Sequence, residues 1–136
     1  MSVEKILRSY IPAARYATVC FLELDEARSA YPKSPRMDGM PRGGGGGGLD
    51  EQVVRIEALE KRAEKAREAA LSLEETIYDM IDALDDFAQK STIKLHYIYG
   101  YPWVKVGMMI HYSESHARWI NANAIKALKE MKRWDS

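Results

Sequence analysis

The side chains best placed to do chemistry in this chain lie between Lys105 and Lys129. Ser115, Arg118, Trp119, Ala122, Lys126 and Lys129 recur at spacings of three and four, so at 3.6 residues per turn they share one side of a helix. The opposite side reads Ala117, Ile120, Ala124 and Leu128, an apolar stripe suited to burial. On the outer side, small and polar residues come first and cations follow. That order suits a helix lying in the major groove of double-stranded DNA, where the first turns reach base edges and later cations meet phosphate. With the neighbouring His116 and Asn123, and with Tyr112 and Lys105 just upstream, the candidate DNA-contacting set is Ser115, His116, Arg118, Trp119, Ala122, Asn123, Lys126, Lys129, Tyr112 and Lys105. An ordinary amphipathic surface helix has the same period, so periodicity alone leaves both readings open.

The elements that must hold these residues are legible around them. Pro102 suits the first turn of a helix. Val104, Val106 and Ile110 then form its apolar side, with Met108 and Met109 beside it. His111-Tyr112-Ser113 breaks the pattern, and the Ser113 hydroxyl is a good acceptor for a free amide of the next helix. Two helices joined by about three residues match the helix-turn-helix pattern. Upstream, Phe87 to Tyr99 reads as a supporting helix with Phe87, Ile93, Leu95, Tyr97 and Ile98 apolar and Gly100 as a left-handed cap. Trp103 is expected in the small core that these helices share. Gly107 interrupts the first helix of the pair, and it either weakens that helix or allows close packing.

The segment from Leu84 to Met131 resembles region 4 of bacterial sigma-70-type factors. The resemblance rests on Tyr99-Gly100 at the end of an apolar helix, then Pro102-Trp103-Val104-Lys105-Val106, the Tyr112-Ser113 turn, and Ala124 and Leu128 closing the last helix. Glu114 departs from that pattern, which has a basic or polar residue there. The whole chain resembles small phage late-transcription regulators of the RinA/ArpU kind. Ser34-Pro35-Arg36, Met40-Pro41-Arg42 before the glycines and the long acidic helix are shared features. The resemblance implies a sequence-specific DNA-binding activator of phage late genes, acting in the bacterial cytoplasm, with host RNA polymerase as a further partner. A small terminase-like packaging protein and an adaptor that binds RNA polymerase without DNA are the rival readings.

The rest of the chain reads as a helical body. Tyr10, Ala13, Ala17, Cys20, Leu24, Ala27 and Tyr31 alternate spacings of three and four, a heptad seam. Ser2 can cap a short helix to Tyr10, and Pro12 either starts the next helix or kinks a continuous one. A second seam runs Ile56, Leu59, Ala63, Ala66, Ala70, Leu73, Ile77, Met80 and Leu84, in a helix expected from Leu49 with Asp50 as its cap. Between them, residues 31–48 hold three prolines and six consecutive glycines, a stretch expected to stay outside any helix. It lacks the Gly-Lys-Ser/Thr ending of a phosphate-cradling loop. Arg36 and Arg42 leave it able to touch DNA or a protein. Asp82, Asp85 and Asp86 mark the end of the body. The seams fit an antiparallel hairpin within one chain or a coiled coil between two, so a homodimer stays open.

Composition bounds these readings. The 136 residues are 46% hydrophobic and 29% charged, as for a folded domain. The formal net charge is zero but unevenly spread. Residues 49–89 hold five basic and twelve acidic side chains, whereas residues 90–136 hold eight basic and three acidic. The positive end coincides with the helix-turn-helix pattern, as phosphate attraction requires. Cys20 is the only cysteine, so no disulfide framework can form within the chain, and a reducing cytoplasm is the expected setting. No apolar run approaches the ~20 residues of a membrane span, and no signal peptide is evident. His96, His111 and His116 lack metal-site spacing, and no nucleophile or dinucleotide motif appears, so no enzyme, metal or cofactor is expected. The expected fold is all-α: a long antiparallel hairpin or coiled coil over residues 1–84, then a sigma region 4-like helix-turn-helix over residues 85–136.

Overall fold

The computed structural model describes residues 1–30 and 46–134, and every described element is helical. Helix α1 runs Val3–Ala30 and starts at Ser2, whose hydroxyl accepts the Lys5 amide at 3.2 Å. Pro12 lies inside it without ending it. A proline leaves the carbonyl four residues back without its helical donor. Here that residue is Arg8, and both Arg8 and Pro12 are exposed, so water can replace the missing bond.

Helix α2 runs Gly46–Ala83. It therefore starts three residues before the expected Leu49, takes in Gly46 to Gly48, and places Asp50 inside the helix and not at its cap. Extending a formed helix gains one hydrogen bond per residue, and nucleation is the expensive step, so a long helix can carry glycines at its end. The remainder of the expected connector, including Tyr31, Arg36 and Arg42, lies outside the described residues.

The two helices form an antiparallel pair. Tyr10 donates its hydroxyl to Glu74 Oε2 at 2.6 Å, and Arg28 bridges Glu60 at 3.0 Å, so the end of α1 lies beside the first half of α2. The seams meet within one chain. Ala17, Cys20 and Leu24 are buried on α1, and Leu59, Ala63, Ala70, Ile77 and Met80 on α2, with Leu84 buried just after its end. Cys20 packs with Leu24, Leu59 and Ala63 as a small apolar side chain.

At the other end of the pair, Val3, Ile6 and Leu7 pack with Ile77, Met80, Ile81 and Leu84. This cluster continues into Ile93, Tyr97, Ala124 and Leu128, so the C-terminal helices close the open end of the hairpin. Asp86 starts α3 (Phe87–Ile93) by accepting the amides of Ala88 and Gln89 at 2.7 and 3.4 Å. Phe87, read as one of the apolar residues of this helix, is 81% exposed. It is the first residue after the cap, and its ring meets the Lys90 ammonium instead of apolar neighbours. A π-helical turn over Lys94–Ile98 extends α3. Gly100, at φ +76°, then reverses the chain, and the Tyr101 amide reaches back to the Leu95 carbonyl at 3.1 Å. Pro102 caps α4 (Trp103–Ile110) from outside the helix, one residue earlier than expected. His111–Ser113 then connect it to α5 (Glu114–Glu130).

A carboxylate at Ala63, which is fully buried in the seam, would lack a partner. Ala63→Glu is expected to destabilise the fold by about 3–5 kcal/mol, and Ala69→Glu, on an exposed position of the same helix, by less than about 0.5 kcal/mol. Urea unfolding of both variants measures this, and equal stability of the pair would overturn the seam assignment.

Candidate nucleic-acid interface

Helix α5 owes its position to its apolar stripe. Ala117, Ile120, Ala124 and Leu128 are all buried, against α3, α4 and the start of α1. About half a turn round the helix from that stripe, Ser115, Arg118, Trp119, Ala122, Lys126 and Lys129 are all exposed. His116 and Asn123 are half-buried at the edge of that face.

The turn before α5 is held by three features. The Ser113 hydroxyl accepts the His116 amide at 3.1 Å, as its position in the sequence suggested. His111 adopts the left-handed conformation at φ 64°, and the Tyr112 amide returns to the Gly107 carbonyl at 2.8 Å. Gly107 is the third. A Cβ there would stand 2.7 Å from the Tyr112 carbonyl oxygen and 3.0 Å from that of Ser113. The glycine therefore lets α4 pack directly against the turn. Of the apolar side expected for α4, Val106 is buried and Ile110 half-buried, whereas Val104, Met108 and Met109 face solvent. The core side of α4 runs instead through Trp103, Val106, Gly107 and Ile110, because α5 approaches from that direction.

Trp103, expected in the small core, is half-buried, and its stacking partner is a histidine. The His96 ring stacks on it at 3.8 Å between centroids and 18° between planes. His96 Nδ1 lies 2.8 Å from the Tyr101 carbonyl oxygen, so Nδ1 carries the proton and donates. Burial holds the His96 pKa below its ordinary value, with the Arg118 charge adding to that effect and the bond to Tyr101 opposing it. Tyr97 meets Trp103 edge-on, and burial raises its hydroxyl pKa. The π-helical turn places His96 toward α4 and Tyr97 in the core, a shift that helical periodicity does not encode.

The predicted contact residues are not equally available. Tyr112, His116 and Trp119 form an aromatic column, with ring centroids 4.4 and 5.3 Å apart. Trp119 is 61% exposed at its outer end. Arg118 bridges Glu114 at 3.1 Å, and its guanidinium carbon lies 6.0 Å over the Trp103 ring. Lys129 is paired with Glu4 of α1, which lowers the Glu4 pKa. Lys105 sits 4.0 Å over the Tyr101 ring, on the α4 side. Lys126 is exposed with no charged or aromatic partner among the described residues. The Glu114–Arg118 spacing of four was readable in the sequence. The Glu4–Lys129 pair joins opposite ends of the chain and left no local signal.

Among the described residues, no three or more His, Cys, Asp or Glu side chains converge as metal ligands would, and no helix is long and apolar enough to cross a membrane. No family model, curated protein or solved structure matches this chain.

Two outcomes follow from this geometry. Alanine is a better helix former than glycine by about 1 kcal/mol, yet Gly107→Ala is expected to lower stability by about 1–3 kcal/mol, because the turn must move away. A melting temperature at or above the parent's would show that the turn yields freely. For His96 the folded pKa lies below the unfolded value of about 6.5. The unfolded chain therefore takes up the proton first, and stability present at pH 7 is lost as the pH falls below about 6.5. Melting between pH 7 and 5 should show a smaller decline for His96→Gln than for the parent. An unchanged decline would mean that His96 does not carry it.

Proposed function

We propose that this chain is a sequence-specific DNA-binding regulator of transcription in which α4, the His111–Ser113 turn and α5 act as a helix-turn-helix. The observation that carries this reading is the division of α5. One stripe is fully engaged in the core, and the opposite face presents Ser115, Trp119, Ala122 and Lys126 to solvent. That face lies in the part of the chain where basic residues exceed acidic ones by eight to three. In a major-groove docking, Ser115, Trp119 and Ala122 lie at base edges, and Lys126 one turn farther meets phosphate. The resemblance to phage late regulators supports activation of late genes in a bacterial host as the biological setting.

A second reading has its own support. The outer side of α4 exposes Val104, Met108 and Met109, and Met108 is 70% exposed. Flexible thioethers on a helix face suit a protein partner. RNA polymerase, which the resemblance names, is the partner proposed for that side, in addition to DNA on α5.

Binding of a fluorescent random-sequence duplex over a salt series tests the DNA reading. The parent affinity should fall steeply with salt, and Lys126→Ala should reduce the slope of log K against log salt by about one. Lys129→Ala should change it less, because Glu4 already holds that cation. Absence of any salt-dependent duplex binding, with RNA polymerase still retained on the immobilised protein, would replace the DNA reading with the adaptor one.

A further inference from the structure

We infer that the exposed face of α5 is built to read A·T base pairs, with Trp119 as the residue that senses the thymine methyl group. This inference rests on the DNA-binding reading and names the sequence class that face would take.

The groups that could reach a base edge differ in chemistry. Guanine is read by the forked donors of arginine, or by lysine, at O6 and N7. Arg118 is the one arginine on α5, and it is turned aside: Glu114 holds its guanidinium at 3.1 Å, and Trp103 of α4 lies beneath it. Lys126 stands a full turn beyond Ala122, toward the end of the helix that leaves the groove. The groups left over the first turns are Trp119, Ala122, Ser115 and Asn123. Trp119 and Ala122 offer apolar contact, which suits the C5 methyl of thymine. Asn123, half-buried at the edge of the face, carries an NH2 donor beside a carbonyl acceptor, the complement of adenine N7 and N6. The two kinds of group lie next to each other, so together they match the two halves of an A·T pair.

The setting of Trp119 supports a contact role. Its ring is 61% exposed, and it is braced from behind by His116 and, through it, by Tyr112. A braced aromatic ring loses little conformational freedom when it meets a ligand. Trp119 belongs to neither core cluster, so Trp119→Ala is expected to leave the core intact.

The test begins with selection of binding sites from a randomised duplex pool by the full chain. The selected sites should be rich in A·T pairs. Replacing thymine by uracil in the best site removes only the methyl group, and should weaken binding about three- to fivefold, the worth of one buried methyl. Trp119→Ala should bind the thymine and uracil duplexes alike, at a melting temperature equal to the parent's. Arg118→Ala should keep the thymine dependence. A G·C-rich consensus, or parent binding that ignores the methyl group, overturns this inference and leaves the DNA reading standing. Failure of the parent to bind any duplex overturns both.

Discussion

The structure depends on closing the open end of a helical pair. Along most of their length α1 and α2 cover each other with small seam residues. Where α1 begins and α2 stops, Val3, Ile6, Leu7, Ile77, Met80, Ile81 and Leu84 need a further lid. Ile93, Tyr97, Ala124 and Leu128 supply it. Burying one such side chain is worth about 1.5–3 kcal/mol, so this contact outweighs any surface pairing in the molecule. It also fixes the roll of α5: once Ala124 and Leu128 are turned inward, Trp119, Ala122 and Lys126 must face out. The exposed face is thus a consequence of core packing, and it would be presented whether or not a partner were bound.

The approach of α4 to α5 is set by backbone contacts. Gly107 gives the Tyr112 and Ser113 carbonyls room that any side chain would fill. His111 holds a left-handed conformation that costs an ordinary residue about 1–2 kcal/mol. The Ser113 cap, on the far side of the turn, offsets part of that cost. The result is a short, stiff connection, which is what a helix must have if its outer face is to meet a ligand in one register.

Charge is arranged on top of this frame. The acidic surplus lies on α2, which forms the far limb of the hairpin, and the basic surplus lies on the helices that cap it. Two cations of α5 are already engaged, Arg118 with Glu114 and Lys129 with Glu4. Both pairs are exposed enough that solvent screens them, so they direct the side chains more than they stabilise the fold. Glu4 also couples the first turn of the chain to the last turn of α5. Lys126, between the two, has no such tether.

Much of this was legible in the order of residues. The seams from Tyr10 to Ala27 and from Ile56 to Leu84 are set by spacing, and an apolar face recurring every three and four residues has to be buried against another helix. The stripe Ala117, Ile120, Ala124 and Leu128, the Ser113 cap, the Asp86 region as a break and Gly100 as a left-handed stop are local properties, determined by side-chain chemistry within a few residues. Tertiary structure decided the rest. It brought the two seams together within the chain, where Tyr10 meets Glu74 and Arg28 meets Glu60. It set which side of α4 is covered, leaving Val104 outside, because α5 approaches over Gly107. It placed Phe87 in solvent, stacked His96 on Trp103 through a π-helical turn, and turned Lys129 toward Glu4. None of these leaves a mark in periodicity: the Tyr10–Glu74, Arg28–Glu60 and Glu4–Lys129 pairs join residues far apart in sequence, and the rest depend on how the short C-terminal helices turn and pack.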